Sequence, residues 1–137
     1  MMKVLQLGKF YPIKGGVEKV MEIFTEGLAE RGFPSDMLCV SRNGNTENVI
    51  LSEHARVLRT QKLAEIAATM ISPQLIWRLR CIRRKYDIIH VHHPDPMAAL
   101  ALFFSGYKGK VVLHWHSDIL KQKFLLRFFK PLQSWLI

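Results

Sequence analysis

Short apolar segments of strand length alternate with amphipathic segments of helix length along this chain, and that order limits the folds open to it. The first pair is the clearest: Val4, Leu5 and Leu7 form an apolar strand, and residues 17–28 repeat apolar side chains at helical spacing. Further strands are predicted at 36–41, 87–92 and 110–116, with helices at 73–85, at 97–104 and from 119 onward. Strands that alternate with helices build parallel sheets through right-handed crossovers. We therefore predict an α/β, Rossmann-like domain with a mostly parallel sheet and helices on both faces.

The first helix has a recognisable start and stop. Gly15 and Gly16 precede it, and the unpaired N–H groups of a first helical turn attract anions, so a glycine pair there would let a phosphate or sugar oxygen approach the backbone. A tight turn explains the pair equally well. Gly32 is expected to end the helix in the left-handed conformation, with Phe33 closing the cap. The expected buried face consists of Val17, Val20, Met21, Phe24 and Leu28.

Two shorter segments are less regular. Residues 48–52 and 56–60 are apolar but too short for helices, so we predict strands or edge elements there. Residues 61–72 are mixed in composition and lead to no assignment.

Histidines cluster in the later strands. Five of the six lie in two H-x-H pairs and one adjacent position: His90, His92, His93, His114 and His116. Residues two apart on a strand share a face, so each pair with Asp95 or Asp118 forms a plausible site for a divalent metal. However, hydrogen-bonded histidines are commoner than metal ligands deep inside apolar strands. We therefore expect no metal, and a role in sugar or phosphate binding for the histidines nearest the strand ends.

Composition restricts the class of protein. The 137 residues suit one ordinary domain, and two cysteines without framework spacing fit a reducing cytoplasm. A net charge of +9 calls for an anionic partner such as nucleic acid, lipid headgroups or a phosphorylated substrate. No nucleic-acid-binding motif is recognisable, and the first loop lacks the G-x-G-x-x-G of dinucleotide oxidoreductases. The basic cluster within 78–85 is read as a solvated helix end.

The segment 121–130 is both basic and aromatic. A helix with this composition can lie in an anionic membrane interface, which would make the protein cytoplasmic and peripheral on the inner face of the membrane. The alternative is that its Phe and Leu side chains make core contacts.

Three motifs occur in a suggestive order. Gly15, Gly16 and Glu18 open the first helix, D-I-I-H-x-H spans 87–92, and V-V-x-x-x-H-S-D spans 111–118. In this order and spacing they resemble the N-terminal half of retaining glycosyltransferases of family 4, which have the GT-B fold. The resemblance covers nearly the whole chain.

The resemblance implies roles for individual residues. His116 would lie beside the donor sugar at the reaction centre, and Gly15 and Gly16 beside the phosphates of a UDP- or GDP-linked sugar. The residues assigned to the sugar or lipid-linked acceptor are Glu18, His92, His93, Asp95 and Asp118. For Glu18, a solvated or helix-capping role is an equally good explanation. Family members usually need no metal and no further cofactor.

The resemblance also implies a second domain. GT-B enzymes carry most nucleotide-sugar contacts in a C-terminal domain that nothing in this sequence matches. Residues 1–137 are therefore expected to be an incomplete acceptor-side domain, inactive alone. The full-length protein would be a hexosyltransferase in polysaccharide, lipopolysaccharide or glycolipid synthesis. The alternatives are a non-catalytic ligand-binding or scaffold domain, then a basic nucleic-acid-binding module, then a metal hydrolase.

Overall fold

Eight strands and three helices make up the part of the chain that the computed structural model describes, residues 2–11, 16–66, 69–93, 95–115 and 134–135. In chain order they are β1 Val4–Tyr11, α1 Gly16–Glu30, β2 Ser35–Ser41, β3 Val49–Ser52, β4 Ala55–Thr60, β5 Ala64–Ile66, β6 Thr69–Ile71, α2 Pro73–Ile82, β7 Ile88–His93, α3 Pro96–Ser105 and β8 Lys110–Trp115. A single 3-10 turn, Arg83–Lys85, extends α2.

Six strands form one sheet in the order β3-β4-β2-β1-β7-β8. All neighbouring pairs are parallel except β3 and β4, so the antiparallel strand lies at an edge. The predicted α/β class with a mostly parallel sheet is confirmed, as are strands at the two short apolar segments. The unassigned stretch forms a separate antiparallel ladder of β5 and β6, which the mixed composition did not indicate.

Helices cover both faces of the sheet, as predicted. On one face α2 and α3 bury the larger apolar cluster, in which Leu75 and Leu79 meet Leu5, Leu38 and other strand residues. On the other face α1 packs Met21 against Met37, Cys39 and Val57. Within the described residues, none of the helices combines the length and apolar character needed to cross a bilayer.

The buried face of α1 differs from the predicted one. The buried residues are Glu18, Met21, Thr25 and Ala29, whereas Phe24 is 39% exposed. The Thr25 hydroxyl donates a hydrogen bond to the Met21 carbonyl oxygen at 2.7 Å. This bond within the helix lets a polar residue face the sheet. The helix itself was predicted correctly, and Met21 of the predicted face is buried, but Thr25 rather than Phe24 is fully covered.

The helix ends follow the sequence signals. Gly32 has φ +87°, and the Phe33 N–H donates to the Leu28 carbonyl oxygen at 2.9 Å, which closes the predicted cap of α1. Gly106, with φ +70°, ends α3 in the same left-handed conformation.

A polar network ties the amino-terminal ends of the strands together. Asp36 on β2 is 2% exposed and accepts from Arg56 Nε at 3.2 Å and Nη2 at 2.9 Å. The hydroxyl of Tyr86, just before β7, donates to the same carboxylate at 2.6 Å. Burial, together with this hydrogen bond, raises the pKa of Tyr86 well above its ordinary value.

Candidate functional site

The carboxyl ends of β1 and β7 meet at the edge where ligands bind in sheets of this kind. The backbone of β1 turns at Gly8, whose φ is +131°. A Cβ atom at Gly8 would lie 3.0 Å from Asp95 Oδ2 and 3.7 Å from the His92 carbonyl oxygen. Glycine is therefore needed here, because its lack of a side chain lets β1 approach the loop that follows β7.

Asp95 begins α3. It is 8% exposed, and its Oδ1 accepts from the backbone N–H groups of Met97 at 3.1 Å and Ala98 at 3.2 Å. Asp95 is therefore the N-cap of α3, and Pro96 is the first residue of the helix. One carboxylate oxygen thus holds the helix in place, while the other lies toward Gly8 at the strand ends.

Glu18 is buried, which excludes the solvated alternative for this residue. It lies in the first turn of α1 and is 4% exposed. Burial raises the pKa of the Cys39 thiol on β2, and the negative charges of Asp95 and Glu18 raise it further, against the lowering effect of Arg59. Two residues predicted for the acceptor, Glu18 and Asp95, thus act on the same thiol from different helices.

Gly16 begins α1. It is exposed, and apart from its chain neighbours a Cβ added to it would meet no atom of the described residues within 4 Å. Backbone N–H groups in the first turn of a helix favour an anion, so this end can receive a phosphate or sugar oxygen. The predicted role of Gly16 stays a prediction that this geometry allows.

Three histidines stack beneath α1. His90 and His92 on β7 lie beside His114 on β8, with ring centroids 4.3 Å apart for the first two and 5.3 Å for the other two pairs. Phe24 places its ring edge against them, 5.2 Å from His90 and 5.8 Å from His114. From the sequence alone, we could pair only histidines that lie two apart on one strand. In the sheet, His114 on β8 also lies beside the pair on β7.

His92 lies in the interior of the domain. It is fully buried, and its Nε2 lies 2.7 Å from Oε1 of Gln6, which is also fully buried. Gln6 Nε2 has no hydrogen-bond partner among the described residues. Sequence reasoning did not select Gln6, although a lone polar residue inside the apolar run of β1 was a usable signal. The predicted acceptor role of His92 stays a prediction. The structure buries this side chain inside the domain, one residue before the end of β7.

The three imidazoles are close enough together to be a candidate metal site. Each offers one ligand nitrogen, and these nitrogens all lie within 4.8 Å of one another. The ring planes are inclined to one another by 8° to 29°. The expectation that no metal binds here stays a prediction.

Several predicted residues lie outside the described part of the chain: Gly15, His116, Asp118 and the segment 121–130. His93 ends β7, but only its backbone is described. The structure therefore brings Gly8 and Asp95 together at the strand ends and places Glu18 in the first turn of α1. The predicted reaction centre, His116, lies outside the described residues.

Comparison with known proteins supports the resemblance. The model of Glycosyltransferase Family 4 matches residues 14–137. The O-antigen chain mannosyltransferase C of Escherichia coli is 36% identical over 135 residues, which cover 97% of this chain and 36% of that protein. The D-rhamnosyltransferase WbpZ of Pseudomonas aeruginosa is 29% identical over 135 residues, 97% of this chain and 35% of its own length. The chain thus spans about a third of the length of these curated relatives.

A solved structure shows the same fold. The sucrose-phosphate synthase of Thermosynechococcus elongatus superposes with a TM-score of 0.53 over 82% of this chain and 64% of that one, at 16% identity. Because the family model extends over residues 14–137, the chain belongs to Glycosyltransferase Family 4.

Proposed function

We propose that this chain is the acceptor-side domain of a retaining glycosyltransferase. The full-length protein would transfer a hexose from a UDP- or GDP-linked donor to a hydroxyl of a sugar or lipid-linked acceptor in polysaccharide, lipopolysaccharide or glycolipid synthesis. The observation that carries the proposal is the family match over residues 14–137. The mannosyltransferase and rhamnosyltransferase names of two relatives support the reaction class.

In the proposed reaction an acceptor oxygen bonds to the anomeric carbon of the donor with retained configuration. The bond between that carbon and the diphosphate breaks, the nucleoside diphosphate leaves, and the acceptor loses its hydroxyl proton. Gly15 and Gly16 would leave the amino terminus of α1 open to the developing negative charge of the diphosphate, which a helix end stabilises without moving. His116 would lie beside the donor sugar.

The acceptor would bind at the carboxyl ends of β1 and β7. The capped start of α3 and the buried Glu18 support this, because both hold carboxylates at fixed positions near the strand ends. His93 and Asp118 would complete the acceptor side. A second domain, in the two thirds of the relatives' length that this chain does not span, would bind most of the nucleotide, and neither metal nor further cofactor is proposed.

The test is a donor screen on the natural gene product, with His116→Ala as the diagnostic variant. We expect transfer from one UDP- or GDP-linked sugar, and a fall in kcat of about 100-fold or more in the variant, the usual effect of losing one stabilising group at the reacting atoms. His54→Ala is the matched control, since His54 is exposed in the turn between β3 and β4. Binding of a donor without turnover would instead favour the non-catalytic alternative.

A further inference from the structure

A second concave site lies at the opposite end of the sheet from the strand ends discussed above. A cavity of about 390 Å³ opens between the 3-10 turn after α2 and the connection from α3 to β8. Arg83, Arg84 and Lys108 line it together with Tyr107 and the glycines of that connection. Three cationic side chains therefore surround one pocket at the amino-terminal ends of β7 and β8.

The pocket is shaped by glycine and tyrosine. A Cβ atom at Gly109 would overlap the hydroxyl of Tyr107, so a side chain there would displace the Tyr107 ring. That hydroxyl donates to the Tyr86 carbonyl oxygen at 3.2 Å, which fixes the ring across the pocket wall. Gly106 adds a left-handed turn with φ +70°. These residues leave backbone without side chains along the cavity and preserve its volume.

The charge in the pocket suits a phosphate. Arg83 is held in place by its Nη1, which donates to the Arg80 carbonyl oxygen, while Arg84 and Lys108 are exposed. Guanidinium groups bind phosphate oxygens in pairs, and lysine adds a point charge. The nearby carboxylate of Asp87 already accepts a hydrogen bond: its Oδ2 lies 2.8 Å from the Lys3 backbone nitrogen, which donates to it.

Exposed aromatic side chains lie on α2 and α3, the two helices that lead to this pocket. Phe103 and Phe104, at the end of α3, are 46% and 50% exposed, and Phe103 contacts Trp135 edge to face at 4.8 Å. Trp77 on α2 is 67% exposed, one helical turn before Arg80. Aromatic and basic side chains on one surface are typical of proteins that lie on an anionic bilayer.

We propose that this pocket binds the phosphate of an anionic phospholipid headgroup, with Trp77, Phe103 and Phe104 entering the bilayer interface around it. A nucleic acid is the less suitable partner, because Phe103 is already packed against both Phe104 and Trp135. This surface differs from the segment 121–130 predicted from the sequence. Lipid binding does not depend on the proposed sugar transfer, so either can fail alone.

The test measures binding of the natural gene product to vesicles of phosphatidylcholine with and without phosphatidylglycerol. We expect binding only to the anionic vesicles, and a weakening of about thirty-fold in Arg84→Gln/Lys108→Gln, from the contribution of two basic side chains near an anionic surface. The matched control is Lys19→Gln/Arg31→Gln, which removes the same charge from exposed positions in α1 and in the turn directly after it, on the other face of the sheet. Circular dichroism verifies that both variants are folded.

Two variants at exposed apolar residues test whether the aromatic side chains enter the bilayer interface. Trp77→Ala should weaken vesicle binding, whereas Ile50→Ala, at a residue that is also 67% exposed but lies on the edge strand β3, should leave it unchanged. The proposal is overturned if neutral vesicles bind equally well or if the two charge variants lose binding to the same extent. It is also overturned if an oligonucleotide, and not the anionic vesicle, depends on Arg84 and Lys108.

Discussion

The substitution Tyr86→Phe isolates one buried hydrogen bond. The hydroxyl of Tyr86 donates to the Asp36 carboxylate at 2.6 Å, and the ring is 5% exposed. Phenylalanine fills the same space and keeps the ring face toward Lys3 Nζ, 5.1 Å from its centroid. Because Asp36 retains Arg56, the carboxylate is not left unpaired. We expect a loss of about 1.5 to 2 kcal/mol in the free energy of unfolding at pH 7, the lower part of the range for hydrogen bonds to charged groups.

The same substitution should change the pH dependence of stability. Burial and the Asp36 hydrogen bond raise the pKa of Tyr86 above its ordinary value of 10. A raised pKa contributes stability below pH 10, and that contribution is lost as the pH rises, because the unfolded state releases its proton first. At pH 11 the unfolded wild type gains about 1.4 kcal/mol from ionisation of this tyrosine, and the variant gains nothing. The stability gap between the two proteins should therefore nearly close.

Urea unfolding followed by circular dichroism at pH 7 and pH 11 measures both effects. Tyr107→Phe serves as the comparison, since that hydroxyl donates to a neutral carbonyl at 3.2 Å and its removal should cost only about 0.5 to 1 kcal/mol at pH 7. Equal stability of wild type and Tyr86→Phe at pH 7 would refute the reasoning. So would a gap that stays constant up to pH 11.

Three further predictions concern the site and the interior. Of the two cysteines, only exposed Cys81 should react with a thiol reagent in the native protein, because burial raises the pKa of the Cys39 thiol; peptide mass spectrometry before and after unfolding measures this. Gly8→Ala should lower the free energy of unfolding by about 1 to 3 kcal/mol, measured in urea, because a side chain at φ +131° is strained and meets Asp95. Gly16→Ala, in open space, should change it by at most about 1 kcal/mol. Treatment with a chelator should leave the proposed sugar transfer unchanged, because the proposed reaction uses no metal; an activity loss restored by zinc would contradict this and point to the three clustered histidines.

Local patterns predicted most of the backbone because each element carries its own signal. The glycines at positions 32 and 106 end their helices as expected, since an αL residue is required there whatever packs nearby. Pro73 and Pro96 lie in the first turns of α2 and α3 for a similarly local reason. The β5 and β6 ladder was missed because its pairing depends on a partner strand rather than on its own composition.

The sequence by itself determined the alternation of strands and helices, and with it the parallel sheet and the edge at which a ligand site is predicted. Only the tertiary structure decided which residues of α1 are fully buried, because that depends on the strands against which the helix packs. It also decided that His114 from β8 joins His90 and His92, and that Gln6 contacts the buried His92. These contacts arise from the register between strands that are distant in sequence, and a pattern within one strand carries no information about that register.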